Sequence, residues 1–192
     1  IKVFDDFIDA VDSQKRFLLK SDIELFSQYR LLIDDQINSS DITFFNLVHE
    51  TLKTRIDEVE YFYEEILEVP FNFQVNEEIN LDYDNLEYAE NSNELKKIWR
   101  KRLKLSALDG YASKKEINDQ EKENDKLLSD SEIETESRSS ISNNLKDFFQ
   151  FNSELERSDW FSIYLNTIVT QFDPHTSYLA PEAKEVFDQN IS

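Results

Sequence analysis

Apolar residues recur every three or four positions over most of this chain, and short polar stretches interrupt the pattern. The longest run lies in residues 40–70, where Phe45, Val48, Leu52, Ile56, Val59, Tyr63 and Ile66 draw one stripe. That spacing predicts an amphipathic helix. Ser40 or Asp41 can cap its start, and Pro70 marks its stop. At about 1.5 Å per residue the helix extends roughly 40 Å, so its stripe needs a partner helix. His49 sits beside the stripe and reads as a packing histidine rather than a ligand.

Upstream, "VFDDFIDAVDSQKRFLL" predicts a short helix followed by a turn. The next stretch carries Ser21 and Glu24 at capping-box spacing, then Ile23, Phe26, Leu31 and Ile33 at loose helical spacing. Downstream of Pro70 the period changes. Phe71, Phe73 and Val75 alternate with polar residues, and so do Ile79, Leu81 and Tyr83. Residues 71–83 therefore predict a short extended or β-like segment lying over the helices, since a lone hairpin is marginal by itself.

"NELKKIWRKRLKLSAL" returns to helical spacing. Trp99 and Leu103, extended by Ile98 and Leu105, form its apolar face. Lys96, Lys97, Arg100, Lys101, Arg102 and Lys104 form the other face, with Lys97, Arg100 and Lys101 as a candidate docking surface. A basic face beside a tryptophan can suit nucleic acid. In an acidic chain it fits better against the protein's own acidic helices or other parts of the polypeptide. Ser113 and Glu116 offer another capping box, and the charge-rich residues 119–137 predict the weakest order. Ile141, Leu145 and Phe148, then Phe161, Tyr164, Ile168 and Phe172, predict a helical hairpin broken near residues 152–158.

The end of the chain, "QFDPHTSYLAPEAKEVFDQ", reads as helix, rigid turn, helix. Pro174 forces Asp173 out of helical geometry. Asp173 can fold its side chain back onto the amides of His175 or Thr176. Pro181 suits the first turn of a further helix over 181–192, carrying Ala183, Val186 and Phe187. The whole predicts a mainly α, irregular multi-helix domain over residues 1–180, with a linker helix after it.

Composition supports that class. One Gly and three Pro among 192 residues are few for a sheet-rich fold, while 15 Phe and 8 Tyr supply a core. The chain has no Cys, which removes disulfides, Cys-based zinc sites and thiol nucleophiles. It has no Met, which points to a processed or truncated segment. No stretch reaches the roughly 18 apolar residues of a membrane span, so no membrane insertion is expected. The formal charge of −20 repels nucleic acid and anionic membranes, so neither is expected as a partner.

Catalytic chemistry is hard to place. His175 beside Thr176 and Ser177 is too constrained for a triad, and the single glycine, Gly110, makes neither an oxyanion turn nor a phosphate loop. Two histidines, His49 and His175, are too few for an ordinary zinc site. Residue chemistry alone gives no catalytic residue, no metal site and no cofactor.

Three stretches carry a family resemblance. "FDPHTSYLAP" resembles the Asp-Pro-His-Thr/Ser-x-Tyr-Leu-x-Pro signature of the C-terminal processing peptidases, the tail-specific proteases, where it stands just before a PDZ domain. "DSQKRFLLKSDIELF" and "NELKKIWRKRLKLSAL" are similar to two earlier segments of the longer, tail-specific branch, in the same order. The acidic region around residues 115–137 departs from the pattern. The resemblance implies the noncatalytic N-terminal helical domain of a bacterial periplasmic or cell-envelope endopeptidase with a Ser nucleophile and a Lys base, both beyond Ser192. It implies protein substrates with nonpolar C-terminal tails, and the protein's own downstream PDZ and protease domains as partners. Asp173, Pro174, His175, Thr176 and Tyr178 would then form an interdomain turn that sets the position of the PDZ domain. The alternative is a stand-alone acidic interaction module, an adaptor or scaffold, or a domain that docks an adaptor protein.

Overall fold

The computed structural model describes residues 1–120 and 127–181. These residues form seven helices: α1 (Lys2–Asp12), α2 (Lys20–Ser27), α3 (Ile33–Ser39), α4 (Thr43–Glu68), α5 (Ser92–Gln120), α6 (Asp130–Glu154) and α7 (Arg157–Val169). The protein is mainly α. The expected helix over 181–192 lies outside the described residues beyond Pro181.

The long stripe of α4 is the spine of the fold. Phe45, Val48, Leu52, Ile56, Val59, Tyr63 and Ile66 are all buried. At one end, α1 and α7 close over Phe44 and Phe45. Phe7 meets Tyr164 edge-on at 4.9 Å between ring centroids, and Phe45 meets Phe161 at 4.9 Å. Edge-to-face packing matches the positive rim of one ring to the negative face of the next. At the other end, α5 and α6 pack on α4. Tyr63 stacks on Phe149 at 4.9 Å, and Leu95, Trp99, Leu103 and Ile133 fill the space between. Burying each such side chain contributes about 1.5–3 kcal/mol.

Several local expectations are corrected. α2 is capped by Asp22, which accepts the Leu19 amide at 2.9 Å, rather than by Ser21 and Glu24. Ser113 and Glu116 lie inside α5 and cap nothing. The capping box stands instead at Ser129 and Glu132, opening α6. Of the region 119–137 expected to be least ordered, residues 121–126 lie outside the described residues, and 130–137 are regular helix with Ile133, Glu134 and Ser137 buried, because their sparse apolar positions face α5. Leu31 and Phe172 are exposed rather than core. Residues 155–156 do break α6 from α7, but the two do not make a hairpin. α6 pairs chiefly with α5, and α7 pairs chiefly with α1. At the start of α4, Asp41 rather than Ser40 supplies the acceptor, for the Thr43 amide at 2.8 Å.

Residues 71–88 are extended and turn-rich, with no strand. A single parallel bridge, Leu19 to Ala89, is the nearest approach to a sheet among the described residues. This strap has few buried side chains, and cations hold it. Lys104 donates to the Val75 carbonyl and to Glu77, both at 2.7 Å. Arg100 pairs with Glu77, and Lys101 donates to the Glu78 carbonyl at 2.9 Å. Lys15 donates to the carbonyls of Tyr83 and Leu86.

Candidate functional site

The exit turn is built on α7. Asp173 accepts the His175 amide at 2.9 Å and the Thr176 hydroxyl at 3.1 Å, and its own carbonyl accepts the Thr176 amide at 3.0 Å. This is the Asx turn expected before Asp-Pro. A second clamp comes from α7. The Asn166 side-chain oxygen accepts the Tyr178 amide at 2.8 Å, while its nitrogen donates to the Ser162 carbonyl at 2.8 Å. Gln171 donates to Asp6 of α1 at 2.8 Å. The turn is therefore closed on itself by Asp173 and fastened at two points to helices whose aromatic faces are buried.

Pro174, His175 and Thr176 are exposed, and Tyr178 is half-buried. The His175 side chain makes no hydrogen bond among the described residues. His49 lies between the rings of Phe45 and Trp160, at 5.7 and 6.3 Å, half-buried as a packing residue. Burial, then the charges of Arg157 and Lys53, hold its pKa below the usual histidine value. Beside the turn, a groove of about 420 Å³ is lined by Ile1, Leu31, Ile37, Ile168 and Phe172. Phe172 is 88% exposed there.

The candidate docking residues on α5 divide. Arg100 and Lys101 are engaged by the strap, and Lys97 is exposed. The basic face thus meets an acidic connector of the same chain and, through Lys96 on Glu65 at 2.6 Å, the acidic helix α4.

Sequence reasoning missed Asp12. Its buried carboxylate accepts the amides of Arg16, Phe17 and Leu18 at 2.7, 3.1 and 2.8 Å. That array folds residues 13–17 back onto α5, with Lys15 at φ 50°. Burial outweighs the three amides and lifts the Asp12 pKa to about 6. The indole of Trp99 then donates to the Arg16 carbonyl at 2.7 Å, and Arg102 donates to the Gln14 carbonyl at 2.7 Å. The only prior signal was an Asp four residues before an Arg-Phe-Leu run, and that spacing does not announce such a turn.

An all-helical body with a hydrogen-bonded exit turn defines the class, an all-helical domain. The family model of the tail specific protease N-terminal domain matches residues 1–182, and the chain belongs to that family. It is similar to a tail-specific protease of the bacterium Haemophilus influenzae, at 24% identity over 193 residues. That match covers 100% of this chain and 25% of the relative, so the chain spans about a quarter of the relative's length. No helix among the described residues is long and apolar enough to cross a membrane.

Proposed function

We propose that this chain is the noncatalytic N-terminal domain of a periplasmic endopeptidase with a Ser/Lys dyad. It frames the cleft for protein substrates with nonpolar C-terminal tails, and its exit turn sets the position of the PDZ domain that follows. The supporting observation is the clamp of Asn166 on Tyr178, which fixes the direction in which the chain leaves α7. The exposed apolar groove beside the turn offers that neighbour a surface. In the full-length protein, Asn166→Ala should lower kcat/KM for a nonpolar-tailed protein by roughly tenfold, as misplacement of a binding module does. Labelling by a serine-directed probe should stay unchanged. Unchanged cleavage by Asn166→Ala sinks this reading, and so does cleavage by the 192-residue chain alone.

A second reading, docking of an adaptor protein on α5, is favoured by the exposure of Lys97 in a strongly acidic chain. Lys97→Glu should abolish capture of such a partner while leaving the strap in place. Charge reversal at Arg100 or Lys101 would release the strap as well, and is the poorer test.

A further inference from the structure

Forty-one carboxylates are spread over this chain, yet one cleft is lined by none of them. It opens where the turn after α1 meets the strap, α5 and α6, and it measures about 330 Å³. Two guanidinium groups face it, Arg16 and Arg102. The Arg16 head makes no hydrogen bond or ion pair among the described residues. It lies over the rings of Phe148 and Phe17, at 5.3 and 5.6 Å, which holds its plane without using its donors. Arg102 spends one nitrogen on the Gln14 carbonyl. Its other two, Nε and Nη1, are sealed from solvent without an acceptor, under the ring of Tyr83 at 5.1 Å.

Such an arrangement lacks its counter-charge. Burial, helped by the charge of Arg16, pushes the Arg102 pKa below its ordinary value. Asp12 lies within electrostatic range of both arginines, but its oxygens are held by three backbone amides. In a low-dielectric setting, two guanidiniums without a paired carboxylate attract an incoming anion. The cleft rim is mostly apolar, with Gln14, Ser106 and Asn144 as its uncharged polar members. Leu81 and Leu105 are 48% and 40% exposed, and Ile141 and Leu145 lie beside them.

We propose that this cleft binds a peptide carboxylate, with Arg16 taking the carboxylate and the apolar rim taking a neighbouring nonpolar side chain. A planar guanidinium matches a carboxylate in a two-bond fork, and its stacked pose limits the entropy lost on pairing. Arg102 adds field rather than contact, since its spare nitrogens stay covered while Tyr83 lies over them. The apolar rim argues against free phosphate, and the net charge argues against nucleic acid. The inference does not depend on the protease reading, because it is tested on this chain alone.

Titration calorimetry of the 192-residue chain tests it with four probes. They are a hexapeptide ending in Val-Leu with a free carboxylate, the same peptide amidated, the amidated peptide with one internal Glu beside Leu, and inorganic phosphate. Saturable binding of the first or third, at least roughly tenfold tighter than the amidated acid-free peptide, supports the site and tells a terminal carboxylate from an acidic side chain. Arg16→Gln should remove that preference. Leu105→Glu, at an exposed rim position, should block the cleft with its own carboxylate and leave the core intact. Binding of neither carboxylate-bearing peptide more tightly than the amidated acid-free one, phosphate binding alone, no saturable binding, or full binding by both variants would each overturn the proposal.

Discussion

Gly110 lies inside the 29-residue helix α5, at the point where α5 meets α6. Its φ is not positive, so nothing in the backbone demands glycine. A β-carbon added there would stand 3.5 Å from the Ser137 Cβ and 3.6 Å from its Oγ, which is ordinary contact. Gly110→Ala should therefore stabilise the fold. The backbone term is about 1 kcal/mol, the helix-propensity gap between Gly and Ala. Partial burial of the methyl against Ser137 adds about 0.5 kcal/mol, a fraction of the value for a fully buried methylene. A total near 1–1.5 kcal/mol corresponds to a rise of roughly 3–5 °C in Tm for a chain of this size. Urea titration and calorimetry measure both. Gly110→Val supplies the control. Ser137 is 2% exposed and donates to the Ile133 carbonyl at 2.8 Å, so it has little room to retreat. The valine should cost about 1–3 kcal/mol through overpacking. A lower midpoint for Gly110→Ala than for the parent would refute the reasoning, because it would mean that α5 and α6 approach more closely than the contact distances allow.

Asp12 gives a pH signature. Its pKa rises from 3.8 to about 6 on folding, so the folded state holds a proton that the unfolded chain has released. The group's stabilising contribution is complete below about pH 3.8 and is lost as pH rises to about 6, a change of about 3 kcal/mol. The stability difference between the parent and Asp12→Asn should fall across that window, and a flat difference counts against it. Arg55 pairs with Asp22 at 2.8 Å, and Asp22 is 6% exposed. Arg55→Met should cost about 3–5 kcal/mol by chemical denaturation, with part recovered in the double variant with Asp22→Asn; a loss well under 1 kcal/mol contradicts this. Lys104→Met removes two of the strap's anchors. Limited proteolysis should then cut residues 71–79 several times faster with little change in global stability. An unchanged cleavage rate would show that apolar contacts, such as Phe73 against Tyr111 at 5.2 Å, hold the strap instead.

The helices were legible where one face is apolar. The α4 stripe, Trp99 and Leu103 on α5, and Tyr164 on α7 all declared their burial by spacing, because a 3.6-residue period leaves few alternatives. The charge-rich α6 start was not legible. Only Ile133 marks its inner face there, and periodicity does not name the preceding helix α5 as its partner. The pairing of α7 with α1 was hidden for the same reason, since periodicity says which face is buried but not against what. In the exit turn, the Asp173 bonds follow from local chemistry, whereas Asn166 sits mid-helix and nothing local marks it as the residue that reaches Tyr178. The missing carboxylate in the Arg16 cleft is a property of four segments together.

Those segments explain how an acidic chain folds with so few apolar residues in its connectors. The 71–88 strap carries carboxylates on its side chains, but much of its anchoring uses backbone carbonyls, which accept from Lys15, Lys101 and Lys104. A strap held by side-chain ion pairs alone would loosen with salt, because exposed pairs are weak and screened. Carbonyl acceptors cannot be protonated near neutral pH, and Lys104 is 8% exposed, so this clasp is less sensitive to both. The exit turn follows the same logic. Its anchors are an amide side chain on α7 and Gln171 on Asp6, carried by helices locked through Phe7 and Tyr164. The direction of the departing chain is thereby set by an aromatic core, which moves only if α1 and α7 separate.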